Sequence, residues 1–372
     1  MVGYLVFLTI SAGLYALFAL GLNLQWGFTG LINFGHVAFM TIGAYATVLL
    51  SSQGVPLVLA VLIGAGIAAL LGLLIGISTL RLREDYLAIV TIGVSELLRL
   101  IALNEEWLTK GAFGVQNYDL PLANFQPNFV GQLILIGLLT LLAILAQWQL
   151  GRSLSQEWRE TQQIRDKSYK PRNLMGLMSW GIIATALILG VYITGVIALS
   201  DYTYKAGLMV LILLVLALVY AGLEFLVRSP WGRILKAIRE DEEIAKALGK
   251  NVFWYKLQAF MLGGAIAGIA GAFYAWQLTT IYPTNFEPIV TFNAWTIVVL
   301  GGAGNNAGTL LGVIIFWASE SLTRFILPQL RILSDSQLGA FRVMIIGLIL
   351  IVLMMWRPQG ILGKKEELTL GR

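Results

Sequence analysis

The side chains able to do chemistry in this chain are few and unevenly placed. Its 372 residues contain one histidine, His36, and no cysteine. Thiolate chemistry and disulfides are thereby excluded, and no multi-histidine metal site can form. No HExxH and no GxSxG occurs. The nearest approach to a phosphate-cradling GxxxxGK[ST] loop is Gly249-Lys250, which would need glycine at position 244, where Ile244 stands. Two acid–base pairs sit at helical contact spacing inside apolar runs, Glu96 with Arg99 and Glu320 with Arg324. They read first as ion pairs that neutralise themselves, and second as participants in moving a solute. His36 reads as a hydrogen-bonding strut or, alternatively, as a residue lining or gating a path. An enzyme is not expected, and no cofactor is expected in this chain.

The elements that hold these residues are membrane segments. Residues are 58% hydrophobic and only 12% charged, and no Asp, Glu, Lys or Arg precedes Arg81. Apolar runs long enough to cross the ~30 Å hydrocarbon core of a bilayer recur along the chain. The pattern predicts an all-α polytopic helix bundle with segments at 4–23, 31–50, 56–80, 86–103, 130–147, 174–199, 206–227, 257–277, a half-span at 293–300, 309–327 and 339–356. That is about 10–11 membrane segments in one transmembrane domain covering 1–372. The amino-terminal stretch lacks a positive n-region and reads as a span rather than a removable signal. Small residues at four-residue spacing (Gly64, Ala68, Gly72 and Gly76; Gly263, Ala267, Gly271 and Ala275) predict close helix packing.

Lys and Arg positions set the expected orientation. One face would carry 19 of the 25 basic residues, in short loops and the tail, and the opposite face 3. The positive-inside rule makes the rich face cytoplasmic, with the amino terminus outside and the carboxyl terminus inside a plasma membrane. The net charge of +5 gives no reason to expect nucleic acid.

Two runs predict broken membrane helices. In QWGFTGLINFGHVAFMTIGAY (25–45), Gly27, Gly30 and Gly35 interrupt an apolar stretch; in VVLGGAGNNAGTLLG (298–312), glycines flank Asn305 and Asn306. Non-helical backbone at membrane depth is tolerated where protein buries it or a wet cavity adjoins it. One break in each half points to an inverted internal repeat with a path between the halves. Candidate polar points along that path are Asn33, His36, Thr41, Asn305 and Asn306.

Charge is concentrated at 228–256, where 11 of 29 residues are charged. Ser229-Pro230 reads as a helix start and Gly249 as a helix stop. Trp231, Ile234, Leu235, Ile238, Ala245 and Leu248 would form one apolar stripe, and Asp241 would cap a second, shorter helix. Such an element between spans is either a solvated loop or a docking device.

Four runs carry a resemblance: GLINFGHVAFMTIGAYAT, LRLREDYLAIVTIGVSELLR, SPWGRILKAIREDEEIAKALG and RPQGILG. In this order they resemble LivM-type permeases, membrane subunits of ATP-binding cassette importers for branched-chain and other neutral amino acids. The resemblance implies that 228–256 is a cytoplasmic coupling segment docking on an ATPase, with Glu243, Ala245, Ala247 and Gly249 in the conserved pattern behind Asp241. It also implies a LivH-type permease partner, two ATPase subunits carrying ATP and magnesium, and a substrate-binding protein. Two departures stand out: residues 130–199 read as a two-span insertion with a basic loop, and Lys110 stands where the family has glycine. A permease for urea or short amides and a secondary transporter are the alternative readings.

Overall fold

The computed structural model describes residues 2–81, 84–163, 174–329, 335–356 and 359–363. Helices cover the predicted membrane segments: α1 (Val2–Leu22), α2 (Val37–Ser52), α3 (Leu57–Thr79), α4 (Glu84–Asn104), the short α5 (Glu106–Thr109), α6 (Phe129–Gln163), α7 (Leu174–Ser200), α8 (Tyr204–Arg228), α9 (Pro230–Glu240), α10 (Glu242–Ala247), α11 (Val252–Leu278), α12 (Ile289–Gly301), α13 (Asn306–Gln329) and α14 (Asp335–Trp356). Among the described residues the only sheet is a two-stranded clip, β1 (Val115–Gln116) against β2 (Thr280–Ile281), antiparallel with Val115 opposite Ile281. Among the described residues seven helices are long and apolar enough to span a membrane, and α12 with α13 passes the same test only as a pair bent by 116°, a broken span or a re-entrant loop. The chain is therefore an all-α polytopic membrane protein.

The helices group into two compact units: residues 1–10 with 121–217, and residues 11–120 with 218–372. In the first, α6 and α7 pair; Thr140 Oγ1 donates to Tyr192 Oη at 3.3 Å and Gln147 Nε2 to Thr185 Oγ1 at 3.0 Å. Helix α6 runs unbroken for 35 residues, ~52 Å, well past what a bilayer core requires. The predicted basic loop of the insertion continues into 164–173, outside the described residues.

The second unit is centred on α2, α3 and α11, and its core includes Phe39, Met40, Ala68, Phe260, Ala267 and Phe273. Apolar burial does not drive helix association in lipid, so contact must come from close packing. A methyl group at Gly43 would lie 2.1 Å from the Gly268 carbonyl oxygen, and one at Gly271 2.1 Å from that of Met40. Helices α2 and α11 therefore meet backbone to backbone; Gly271 belongs to the small-residue series predicted to pack closely, whereas Gly43 and Gly268 lie outside it. Gly43→Leu is expected to cost at least about 1–3 kcal/mol, because backbone rather than a flexible side chain must move. Its thermal unfolding midpoint in detergent is then clearly lower, whereas an unchanged midpoint contradicts the packing described here.

Both predicted breaks are present. After α1 the chain makes one π-turn over Asn23–Gly27 and stays non-helical until α2 begins at Val37. Helix α12, 13 residues and ~20 Å long, is too short to cross a bilayer core alone. It ends at Gly301, and α13 leaves at the 116° bend from Asn306.

Candidate functional site

The two breaks and the charged segment carry the polar chemistry, and the structure brings them together. In the first break the loosened backbone is satisfied by protein. Phe34 N–H donates to Thr91 Oγ1 (3.1 Å), Val37 N–H to Thr291 Oγ1 (2.9 Å), and Trp295 Nε1 to the Asn33 carbonyl (3.0 Å). Asn33 is fully buried; its amide donates to Gln25 Oε1 at 2.8 Å and its Oδ1 accepts from Gly35 N–H at 2.9 Å. Gln25 in turn donates to the Phe260 carbonyl. His36 is fully buried beside the rings of Phe18 and Phe39, with Nε2 3.1 Å from the Phe18 carbonyl. Thr41 donates to the Val37 carbonyl one turn back.

The second break is tied down from the far end of the chain. A helix that stops at Gly301 leaves carbonyls without intrahelical partners. Ile361 N–H donates to the Leu300 carbonyl (3.1 Å) and Leu362 N–H to that of Gly301 (3.0 Å). The tail run RPQGILG therefore acts, over Gln359, Gly360, Ile361, Leu362 and Gly363, as a strap across the bend. Asn305 fastens it from the other side, donating to the Leu362 carbonyl while its Oδ1 caps Gly308 N–H at the start of α13. Gly302 sits at φ +110° with the strap pressed against it; a methyl group there would lie 2.6 Å from Gly363 N.

The breaks are also joined to each other. Asn23 Oδ1 accepts from Gly304 N–H at 2.9 Å, and its amide donates to Asn306 Oδ1 at 3.1 Å. Asn306 donates onward to Glu224 Oε2 at 3.2 Å, and Glu224 pairs with Arg228 at 2.6 Å. Of the five predicted path residues, Asn306 ties break to break, Asn305 ties break to tail, Asn33 braces the first break internally and against α12, and His36 and Thr41 bond to nearby backbone.

The charged segment folds into two short helices set at an angle. Ser229 stands at the start of α9 with Pro230 in the first turn, but its hydroxyl donates back to the Leu226 carbonyl at 2.6 Å instead of capping. Asp241, extended at φ −155° and ψ 108°, breaks the helix and caps α10, accepting from Glu243 N–H (2.9 Å) and Ile244 N–H (3.1 Å). At the other end Gly249 takes φ +73°; its N–H donates to the Lys246 carbonyl and Lys250 N–H to that of Ala245. That pairing is the Schellman stop that glycine makes inexpensive.

One face of this element packs inward. Ile238, Ala245 and Val252 form a buried cluster with Ile234 and Tyr255 against it, and Trp231 donates to Gln258 Oε1. Glu242 ties α10 to α11 through Lys256 and to Lys246 at 3.1 Å. Burial would raise the Glu242 carboxyl, but the hydrogen bonds and charges of Lys256 and Lys246 outweigh it and hold the group below the usual carboxylate range. The opposite face is open: Ile244 is 60% and Leu248 71% exposed, with Glu243, Ala247 and Gly249 exposed beside them. Leu248 therefore does not belong to the apolar stripe predicted from the sequence. The break at Asp241 resets the helical phase, so the period of α9 does not carry into α10. Of the five predicted coupling residues, Ala245 anchors the element, Asp241 and Gly249 delimit it, and Glu243 and Ala247 lie on its open side.

Sequence reasoning assigned no role to Asn23, Glu224, Arg239 or Ile244, and it put Leu248 on the wrong face. The last two carried a legible sign, two apolar residues four apart inside a charged run. The two intramembrane pairs are formed as spaced: Arg99 binds Glu96 through two bonds of 2.9 and 2.5 Å, and Arg324 lies 3.4 Å from Glu320. Lys110 takes φ +58°, a left-handed conformation that glycine adopts more readily than lysine.

Comparison with known proteins gives a consistent answer. Residues 4–153 and 166–354 match the family described as the permease component of the branched-chain amino acid transport system. The chain is 29% identical over 351 residues to the high-affinity branched-chain amino acid transport permease LivM of Escherichia coli, covering 94% of this chain and 68% of that one. It is 24% identical to the probable LivM permease of Methanocaldococcus jannaschii, over 96% of this chain and 92% of the relative. A 142-residue stretch, 38% of this chain and 42% of the other, is 28% identical to the E. coli permease LivH. No solved structure matches.

Proposed function

This chain belongs to the branched-chain amino acid transport permease family, and from that membership we propose that it is the LivM-type membrane subunit of an ATP-binding cassette importer for branched-chain and other neutral amino acids. The observation that carries this reading is the α9–α10 element, anchored through Ala245 and Glu242 and open at Ile244 and Leu248. A membrane chain without a nucleotide-binding loop needs a surface on which an ATPase can act, and this element has the build of one: a buried base and an exposed apolar tip. In this reading ATP and magnesium sit on two ATPase partners. A LivH-type permease pairs with this chain, and the likeness of this chain to LivH suits a pair of related subunits. A substrate-binding protein delivers the solute.

The basic-residue bias supports an orientation with the amino terminus outside and with α9, α10 and the carboxyl terminus in the cytoplasm. A break in each half, tied together by Asn23, supports an inverted repeat whose halves move against each other. The family name of its relatives favours branched-chain amino acids over urea or short amides.

Purification in mild detergent from the native host tests the assignment. An ATPase and a related permease should co-purify, and the ligand of the associated binding protein names the substrate; recovery of neither partner refutes it. A focused variant follows from the Schellman turn. Proline holds φ near −65°, so Gly249→Pro cannot keep the +73° conformation and unwinds the end of α10. Combined with Glu243→Lys on the open face, it is expected to weaken ATPase retention and reduce uptake at least about tenfold. Capture of solute by the binding protein stays intact. Normal uptake by the double variant removes the coupling role from this segment.

A further inference from the structure

Between the docking element and the helix breaks stands one cation whose role is not explained by docking. Arg239 lies in the last turn of α9, two residues before the Asp241 cap, and is half-buried. Its Nη1 donates to the Gly27 carbonyl at the end of the π-turn, 212 residues away in sequence. Gly27 meets Gly304 of the second break with no side chain between them: a methyl group at Gly27 would lie 2.4 Å from Gly304 N, and one at Gly304 2.7 Å from Gly27 O. The same methyl at Gly304 would lie 2.6 Å from Arg239 Nη1. The stem of Arg239 crosses the first break, where a methyl on Gly30, itself at φ +80°, would lie 3.7 Å from Arg239 Cγ. The guanidinium thus sits where the two breaks touch.

A second line reaches the same place from the other end of α9. Glu224 and Arg228 close α8 immediately before α9, and Glu224 is bonded through Asn306 and Asn23 to Gly304. Helix α9 is therefore held at its start through the Glu224 chain to the second break, and at its end through Arg239 to the first. An 11-residue helix is stiff, and its two attachments fall on the non-helical backbone best able to rearrange. We propose that Arg239 is the transmission residue of this permease, carrying movement of the α9–α10 element to the Gly27–Gly304 contact. Displacement of α10 by a partner draws on the Gly27 carbonyl, and the breaks shift together because Asn23 clamps them. The proposal rests on the coupling role assigned above to α9–α10 and deepens it.

The test uses the whole importer in liposomes, with Arg239→Met to remove the donor at similar length and Arg239→Lys to restore one. Because the chain has no cysteine, Arg233→Cys on the exposed side of α9 and Ile32→Cys in the first break accept a spin-label pair without background. In the Met variant the ATPase subunits remain bound and hydrolyse ATP, but solute moved per ATP falls at least about tenfold, within the range of coupling between sites. Lys recovers part of the loss, since it can still donate to a carbonyl. The 233–32 distance stays nearly constant between nucleotide-free and vanadate-trapped states with Arg239 present, and changes between them in the Met variant. Unaltered transport per ATP, or a label distance that ignores the substitution, overturns the proposal. So does loss of the ATPase subunits from the Met variant, which would make Arg239 an assembly residue. Failure of the unsubstituted chain to bind any ATPase would instead sink the coupling assignment beneath it.

Discussion

An importer carrying Ile244→Glu together with Leu248→Glu is expected to keep its two membrane chains and lose its ATPase subunits, with uptake at background. The two side chains are the exposed apolar tip of α10, four residues apart and so on one face. Fully burying an Ile or Leu is worth about 1.5–3 kcal/mol, so covering the exposed fraction of each contributes ~1–2 kcal/mol. Losing both weakens docking by ~2–4 kcal/mol, or about 30- to 700-fold in Kd, before any cost of burying the new carboxylates. Neither side chain belongs to the Ile238–Ala245–Val252 cluster, so the membrane chain itself should fold and hold its permease partner. Pull-down of the ATPase by the tagged permease reads the outcome. Undiminished recovery of the ATPase would move the docking surface elsewhere on the chain.

The second large effect is expected from Asn23→Leu. Asn23 is fully buried and serves both breaks, accepting from Gly304 N–H and donating to Asn306. Leucine leaves both partners without their bond, at about 1–3 kcal/mol for each unsatisfied buried group. A total near 2–6 kcal/mol is a large share of the marginal stability of a folded protein. The variant should unfold at a clearly lower temperature in detergent, and the surviving fraction should transport poorly because the breaks are no longer clamped. Asn306→Leu should reproduce part of this loss. The double variant should cost less than the two single ones added, since they remove one shared bond. Full additivity would show that the two asparagines act independently.

What could be read from the sequence, and what could not, follows from the range of the interactions. Asp241, Gly249 and the Pro230 start act within a turn of helix, and their chemistry is local; all three stand in the structure where residue type predicts. The breaks were legible because glycine clusters interrupt apolar runs, and the close packing of α11 because small residues recur every four positions, though not that α2 is the helix it meets. The node joining the breaks was not. Asn23 to Asn306 spans 283 residues and Arg239 to Gly27 spans 212, and no periodicity encodes pairings at that distance. Leu248 was misplaced for a local reason of another kind, since one extended residue, Asp241, rotates the following helix out of register. His36 was readable only as an alternative between strut and path, and its burial against the Phe18 carbonyl gives it the bonding of a strut. The tail run RPQGILG was legible as a resemblance but silent about its use as a strap over the second break.

The most direct test of the account is reconstituted uptake with the energy source varied. Liposomes containing this chain with its permease and ATPase partners, supplied with the binding protein, should accumulate a branched-chain amino acid only when ATP is present. Liposomes containing this chain alone should show no uptake under a proton or sodium gradient. Gradient-driven accumulation by the isolated chain without ATP would contradict an ATPase-coupled permease and make α9–α10 a solvated loop.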